Sequence, residues 1–133
     1  MITAVDTSVL LDVFGNDPGH GASSAEWLRK CIKEGTIVAC CVVWAETRGA
    51  FPNEPAFAAA MKTLGVGYSP LEEKAAVYAG NCWKSYRKAG GPKTRVMADF
   101  LIGAHAMHQA DRLLTRDRGY YRSYFKQLSF VNQ

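Results

Sequence analysis

The feature that most constrains the fold of this chain is an uninterrupted run of eight apolar or β-branched residues, from Thr36 to Val43. A strand that is buried on one face alternates apolar and polar residues, whereas a strand buried on both faces does not. The run therefore predicts a central strand of a parallel sheet. Because parallel strands need crossover connections, the flanking sequence should carry helices.

The rest of the chain alternates short strand-like segments with longer helix-like segments, with Gly or Pro at several of the boundaries. The predicted strands are Ile2–Val5, Thr36–Val43, Gly65–Ser69, Arg112–Thr115 and Leu128–Val131. The predicted helices are Val9–Phe14, Ala22–Glu34, Trp44–Phe51, Glu54–Leu64, Pro70–Ala89, Met97–Ala110 and Gly119–Phe125. This alternation predicts an α/β sandwich with a parallel sheet, and the length of 133 residues predicts that residues 1–133 form one domain.

Composition argues against several classes of protein. The chain is 48% hydrophobic and 21% charged, it has no apolar run long enough to span a membrane, and it opens without the basic segment of a signal peptide. A cytoplasmic location is therefore expected. The cysteines lack the paired spacing of a zinc site, and we predict that they are buried thiols. They are Cys31, Cys40, Cys41 and Cys82.

Basic residues are concentrated in two short segments, which hold ten of the sixteen Lys and Arg residues of a chain with a formal net charge of only +4. The first segment contains Lys84, Arg87, Lys88, Lys93 and Arg95, and the second contains Arg112, Arg116, Arg118, Arg122 and Lys126. Such clustering indicates a polyanionic partner. Solubilising surface charge is the alternative interpretation of this feature.

Acidic residues follow the ends of three predicted strands, where open parallel sheets bind their ligands. Asp6 ends the first strand, Glu46 follows the second, and Asp117 follows the strand that ends at Thr115. Asp99 lies instead in the first turn of the helix from Met97. Its own face of that helix continues with the small residues Gly103, Ala106 and Ala110, which should let the helix pack closely and bring Asp99 to the other acids.

Four carboxylates in one pocket need a positive counter-charge, because like charges raise one another's pKa. Mg²⁺ prefers oxygen ligands, so a cluster without His or Cys favours Mg²⁺, or Mn²⁺, over zinc. Such a cation can activate water and neutralise a leaving oxygen, which predicts hydrolysis of a phosphodiester. Helix capping or turn formation is the alternative role for each of these acids taken singly.

Two hydroxyl groups near these acids are candidates for holding a carboxylate or a metal-bound water, with capping as the alternative role. They belong to Ser8 and Thr115. Five other acids of the helices and loops lack a position at a strand end, and we expect them to be exposed. They are Asp12, Asp17, Glu54, Glu72 and Glu73.

The order and spacing of these residues resemble the PIN domains, and within them the VapC-like toxins of toxin–antitoxin pairs. The resemblance spans nearly the whole chain. It is carried by Val5-Asp6-Thr7-Ser8, by Glu46 after an apolar strand, by Asp99 in a small-residue helix, and by Leu113-Leu114-Thr115-Arg116-Asp117 followed by Gly119-Tyr120-Tyr121. One departure is Gly119, which stands where some members have a further acid, so a second metal ion would be held only weakly.

The resemblance implies catalytic residues at Asp6, Glu46, Asp99 and Asp117, with Asp6, Asp99 and Asp117 as metal ligands and Thr115 as a supporting hydroxyl. It also implies a five-stranded parallel sheet, a homodimer, a structured RNA substrate such as tRNA or rRNA, and an antitoxin that blocks the site. We assign RNA binding to the first basic segment and to Arg116. The assigned residues are Lys84, Arg87, Lys88, Lys93, Arg95 and Arg116.

Two other functions stay open at this stage. Asp6-Thr7-Ser8 after the first strand resembles the start of haloacid-dehalogenase-like phosphatases, although Ser8 replaces their second acid. The chain could also be an RNA-binding or partner-binding module without catalysis. Apolar residues available to dock a partner, or else to pack the core, are Trp44, Phe51, Phe57 and Met61.

Overall fold

The structure is a computed structural model that describes residues 1–90 and 97–131. Its strands are β1 (Ile2–Val5), β2 (Thr36–Cys40), β3 (Val66–Ser69) and β4 (Arg112–Leu114). All neighbouring strands are parallel, in the order β3-β2-β1-β4. The predicted α/β class with a parallel sheet is confirmed.

The sheet of the described residues has four strands rather than the expected five. The segment expected to form the fifth strand pairs with β4 only at Phe130, opposite Leu113. Two backbone hydrogen bonds hold it there, from Leu113 N to Ser129 O at 2.9 Å and from Val131 N to Leu113 O at 3.1 Å. This segment therefore adds a single bridge to the sheet rather than a full strand.

Seven helices connect or flank the strands in the described residues. They are α1 (Thr7–Phe14), α2 (Gly21–Glu34), α3 (Cys41–Gly49), α4 (Glu54–Leu64), α5 (Glu73–Lys88), α6 (Met97–Gln109) and α7 (Arg118–Tyr124). None of them combines the length and the apolar composition that crossing a membrane requires.

The strand order determines on which face of the sheet each helix lies. From β1 through β2 to β3 the chain moves in one direction across the sheet, and from β3 it returns past β1 to β4. Because crossovers between parallel strands are right-handed, α1 to α4 cover one face, and α5 and α6 cover the other. The sheet is thus the middle layer of a three-layer sandwich.

β2 ends at Cys40, so the last three residues of the predicted strand form the first turn of α3 instead. Both Cys40 and Val43 are buried, as the apolar run predicted. Burial alone, however, does not distinguish a strand from a buried helical turn. The helix therefore starts directly at the carboxyl end of β2, which places Glu46 in its second turn.

Two of the three small residues predicted to let α6 pack against the sheet, Gly103 and Ala106, are buried, whereas Ala110 lies beyond the end of the helix and is partly buried. A Cβ added at Gly103 would lie 2.5 Å from the ring of Phe125, so only glycine fits under that ring. Ala106 is fully buried on the same helix. α6 also contacts β1 and β4, which brings its first turn, with Asp99, to the carboxyl edge of the sheet.

The four cysteines all remain thiols. Cys31 and Cys40 are buried, as predicted, whereas Cys41 and Cys82 are only partly buried. Burial raises the pKa of the Cys31 and Cys40 thiols. Neither buried thiol is therefore disposed to react as a thiolate.

Candidate active site

The four acids singled out in the sequence line one cavity of about 410 Å³ at the carboxyl edge of the sheet. We call it the acid cavity, and its lining residues are Asp6, Thr7, Ser8, Glu46, Asp99, Ile102, Arg116 and Asp117. Each acid comes from a different part of the fold. Asp6 ends β1, Glu46 lies on α3, Asp99 on α6, and Asp117 precedes α7.

Asp6 is the most deeply buried of the four acids, with 8% of its surface exposed. It is the N-cap of α1, and its Oδ1 accepts a 2.8 Å hydrogen bond from the backbone N–H of Thr7. Its Oδ2 accepts a 2.7 Å hydrogen bond from the hydroxyl of Thr115, and the Tyr121 hydroxyl lies 3.5 Å from the same oxygen. The carboxylate is thereby fixed in one orientation.

The charge on Asp6 is destabilised by its surroundings. Burial raises the pKa of Asp6 above its ordinary value, and the nearby carboxylates of Asp99 and Glu46 raise it further. The hydrogen bonds from Thr115 and Thr7 act in the opposite direction but do not compensate. A cation in the acid cavity would stabilise the ionised carboxylate of Asp6 and so oppose both causes of its raised pKa.

Glu46 is exposed, and the hydroxyl of Thr7 holds it by a 2.7 Å hydrogen bond to its Oε1. This bond joins the first turn of α1 to α3 across 39 positions of sequence. Sequence reasoning assigned no role to Thr7, because nothing in the local sequence shows which helix lies opposite its hydroxyl.

Asp117 is positioned through Thr115, the hydroxyl group predicted to support the site. The Thr115 Oγ1 donates to Asp6 and accepts a 3.0 Å hydrogen bond from the backbone N–H of Asp117. One fully buried hydroxyl therefore sets the spacing of two of the acids. Ser8, the other predicted hydroxyl, also lines the acid cavity, and its buried Oγ has no hydrogen-bond partner within the described residues.

Tyr121 is a buried residue of the site that sequence reasoning missed. It is 1% exposed, and burial, followed by the charge of Asp6, raises the pKa of its phenol far above the ordinary value. The phenol therefore stays protonated and can donate a hydrogen bond to Asp6. Its position in Gly119-Tyr120-Tyr121 gave no signal, because either tyrosine could have faced the core.

The donor set of the acid cavity fits a hard divalent cation. All its charged ligand groups are carboxylates, with hydroxyls beside them and no His or Cys among the lining residues that the structure describes. The unpartnered Ser8 hydroxyl could bind a water of a hydrated ion. Mg²⁺ keeps several waters as ligands, so it can be held by carboxylates that are not in mutual contact.

A tighter group of potential ligands lies nearby but is explained by other contacts. Within the described part of the chain, only Asp12, Asp17 and His20 form a group of three metal-binding side chains with ligand atoms all within 4.8 Å of one another. Asp17 accepts hydrogen bonds from the backbone N–H of His20 at 2.8 Å and of Gly19 at 3.1 Å. The His20 contact is the larger cause that lowers the pKa of Asp17. We therefore interpret this group as a capped turn rather than a metal site.

The expectation that Asp12 is exposed was wrong. Asp12 is 5% exposed and forms a two-point ion pair with Arg116, at 2.8 Å to Nε and 3.2 Å to Nη2. Ser24 donates a further hydrogen bond of 2.8 Å to it. A buried carboxylate needs such partners, and the one that decides its burial lies 104 positions away.

Comparison with known proteins agrees with this architecture. The family model described as the PIN domain matches residues 3–126. This chain belongs to the PIN-domain family. No curated protein sequence matches it significantly.

Several solved structures have the fold of this PIN domain. VapBC2 from Rickettsia felis, bound to a DNA fragment from its promoter, matches with a TM-score of 0.76 and 19% identity over 100% of this chain and 99% of that chain. VapBC-1 from nontypeable Haemophilus influenzae matches with a TM-score of 0.73 and 20% identity over 99% and 98%. VapC20 from Mycobacterium tuberculosis, a sarcin-ricin loop cleaving toxin, matches with a TM-score of 0.59 and 14% identity over 89% and 93%.

The residues predicted to bind RNA are only partly described in this PIN domain. Lys84, Arg87 and Lys88 are exposed on the last turns of α5, and the Arg87 guanidinium lies 5.9 Å from the centre of the Trp83 ring. Lys93 and Arg95 lie outside the described residues. Arg116 lines the acid cavity, where it pairs with Asp12.

The apolar residues considered for partner docking belong largely to the core of the PIN domain. Phe57 and Met61 are buried. Phe51 and Trp44 are partly buried and pack edge-to-face on Phe57, with ring centres 5.8 Å and 5.6 Å away. Core packing is thus the role that the structure supports for Phe57 and Met61, and only the outer faces of Trp44 and Phe51 remain for a partner.

Proposed function

We propose that this chain is a divalent-metal-dependent endoribonuclease that cleaves structured RNA. The observation that carries the proposal is the convergence of four carboxylates, from four separate elements, on one cavity of a PIN domain. An acidic cluster of this kind works against the fold, because the charges repel and the most buried acid, Asp6, is costly to ionise. A bound divalent cation would offset both costs.

We infer that Asp6, Asp99 and Asp117 hold Mg²⁺, or Mn²⁺, and that Glu46 completes the catalytic set. When bound, the cation supplies charge neutralisation at the phosphate and lowers the pKa of a coordinated water. Asp6 acts as the fixed ligand, since Thr115 and Thr7 hold its two oxygens. Ser8 and Thr115 support the site through their hydroxyls.

Glu46 differs from the other acids because it is exposed and is held by a single hydroxyl, that of Thr7. A carboxylate with one oxygen anchored can accept a proton at the other oxygen from a water beside the phosphate. We therefore assign Glu46 to orienting the attacking water. Thr7 acts through Glu46 by keeping the carboxylate turned into the acid cavity.

The phosphatase alternative is less well supported by this geometry. The second acid of those phosphatases, two residues after the nucleophilic aspartate, is replaced here by Ser8, whose hydroxyl lines the acid cavity without a hydrogen-bond partner among the described residues. An RNA-binding module without catalysis would have no need of four converging acids, which repel the RNA backbone.

We further propose that the chain is the toxin of a toxin–antitoxin pair and acts as a homodimer on tRNA or rRNA. The support is that similar structures include VapBC complexes of two bacteria and a toxin that cleaves the sarcin-ricin loop. A cognate antitoxin would then cover the acid cavity. Co-expression with the neighbouring reading frame, followed by co-purification, tests for that partner.

Cleavage of a structured RNA in Mg²⁺ tests the enzymatic proposal. Asp6→Asn, Glu46→Gln and Asp99→Asn should each lower the cleavage rate by at least about a hundredfold while circular dichroism shows a folded protein. Glu26→Gln is the matched control, because Glu26 is an exposed acid on α2 outside the acid cavity. Full activity in excess chelator, or in any of the three cavity variants, would refute the metal-dependent mechanism.

A further inference from the structure

The ion pair of Asp12 with Arg116 is the charged contact at the acid cavity that the proposed chemistry does not use. Arg116 is the only basic side chain among the described residues that line this cavity. It directly precedes Asp117, so its backbone is fixed by the same turn that positions that acid. Without a restraint, its side chain could reach over the neighbouring carboxylates and neutralise them.

Asp12 provides that restraint. It lies on α1 and accepts a hydrogen bond from the Ser24 hydroxyl on α2, so two helices fix the position of the carboxylate independently of Arg116. Asp12 is 5% exposed, whereas the side chain of Arg116 is 35% exposed. The acid is therefore the fixed partner, and the guanidinium is the group that it positions at the edge of the cavity.

The contact uses one edge of the guanidinium. Nε donates to Oδ2 at 2.8 Å and Nη2 donates to Oδ1 at 3.2 Å, while Nη1 takes no part. A guanidinium has five N–H donors in one plane and binds phosphate oxygens well. Held by one edge, it can still donate from Nη1 to an anionic oxygen at the acid cavity.

We propose that Asp12 is a positioning residue, and that it holds Arg116 so that the guanidinium contacts the phosphate group that is cleaved. The inference rests on the proposed nuclease function. The pair is neutral overall, so it adds little long-range attraction for RNA. Its contribution should instead appear when charge develops on the phosphate, and thus in kcat more than in KM.

Steady-state cleavage of a defined RNA in saturating Mg²⁺ tests this with the two single variants and the double variant. Arg116→Ala should lower kcat by about a hundredfold, and Asp12→Asn by at least about tenfold. KM should not rise in Asp12→Asn, because the change removes a negative charge near the RNA. In the double variant, Asp12→Asn should change kcat by less than about twofold, since it acts only through Arg116.

Glu34→Gln is the matched control, because it removes the acid partner of the other arginine at β4. Arg112, at the opposite end of that strand, pairs with Glu34 at 3.1 Å and does not line the acid cavity. This variant should keep the wild-type kcat. Thermal unfolding and Mn²⁺ binding of each variant check that the fold and the metal-binding acids are intact.

Three results would overturn the inference alone: a wild-type kcat in Asp12→Asn, an equal loss of kcat in Glu34→Gln, or an undiminished effect of Asp12→Asn in the Arg116→Ala background. Absence of metal-dependent cleavage by the wild-type chain would instead refute the proposed function, and the inference with it. Arg116→Lys keeps the positive charge at this position but removes the planar guanidinium, so it tests which of the two kcat requires. We expect it not to restore kcat, because an ammonium cannot bind Asp12 by two points and the phosphate at once.

Discussion

Replacing Asp6 with Asn should make the metal-free protein more stable at pH 8. Asp6 is 8% exposed, and its carboxylate is surrounded by protein and by other acids. An Asn of the same size can keep the contact with the Thr7 N–H through its carbonyl, and its amide can donate to the oxygen of the Thr115 hydroxyl. The substitution removes a buried charge, but the Thr115 and Tyr121 hydroxyls lose the carboxylate oxygen to which they donate.

The size of this gain follows from two opposing energies. Burying an ion costs several kcal/mol, whereas the weaker bond from the Thr7 N–H and the lost acceptor of the Thr115 hydroxyl each cost about 1 kcal/mol. We therefore expect a net gain of about 1–2 kcal/mol, or about 3–6 °C in Tm for a chain of this length.

The gain should depend on pH in a defined direction. Burial raises the pKa of Asp6 in the folded protein above its ordinary value of 3.8, so the folded state binds more protons than the unfolded state between these pKa values. In that range the stability of the wild type falls as pH rises. The advantage of Asp6→Asn should therefore be absent near pH 3.8, grow through the window above it, and become constant at higher pH.

Urea unfolding in excess chelator at several pH values measures this difference, and the same series in Mg²⁺ or Mn²⁺ adds a second test. A cation at ten times its Kd should stabilise the wild type by about 1.4 kcal/mol and Asp6→Asn much less. Asp12→Asn is the contrasting control, because it breaks an ion pair and should destabilise by about 1–3 kcal/mol. A less stable Asp6→Asn in chelator at pH 8, or equal stabilisation of both proteins by the cation, would refute the reasoning.

Three other predictions follow from the fold and the site. Replacing both Lys84 and Lys88 with Ala should weaken RNA binding, because both side chains are exposed on α5. The logarithm of the RNA association constant should then fall less steeply with the logarithm of salt concentration, with a slope smaller by about 1–2. An unchanged slope in filter binding would show that neither lysine contacts RNA. Gly103→Ala should destabilise the folded protein by about 1–3 kcal/mol, because the added methyl group would clash with the ring of Phe125. Gly80→Ala has nothing within 4 Å of the added methyl group and should stabilise the protein by about 0.5–1 kcal/mol. Similar changes of Tm in both variants would contradict the packing argument. If a partner inserts an Arg or Lys among the cavity acids, Mn²⁺ titrated into the purified complex should compete with that side chain. If the complex binds Mn²⁺ and cleaves RNA as well as the free chain does, the partner does not inhibit at the acid cavity.

The sequence was sufficient to predict which acids meet, because strand ends are a topological property. Once β1 and β4 are parallel neighbours, the residues that follow them must lie at one edge, and Asp6 and Asp117 do so. Segment lengths were less predictable. The end of β2 at Cys40, and the single bridge at Phe130 in place of a fifth strand among the described residues, depend on how many residues of each segment find a pairing partner. The apolar pattern does not encode that number.

The supporting contacts of the site could not be predicted from local sequence. Thr7 meets Glu46 across 39 positions, and Tyr121 meets Asp6 across 115. A hydroxyl contact of this kind depends on distances and rotamers that only the packed structure sets. Thr115 was an exception, because it lies close to Asp117 in sequence and directly follows β4, the strand beside β1.

Asp12 shows that burial of a charged residue is decided by its partner rather than by its own sequence neighbourhood. Within α1 the buried positions are Val9, Leu10 and Asp12, while Leu11 is 36% exposed. Asp12 is three residues after Val9 and therefore shares its inward face, whereas we expected it to be exposed because it lies at no strand end. Its burial is possible because Arg116, which follows the end of β4, supplies a positive charge to which Asp12 binds at two points. An acid on the apolar face of a helix, in a chain with an arginine at a neighbouring strand end, is thus better interpreted as half of an ion pair.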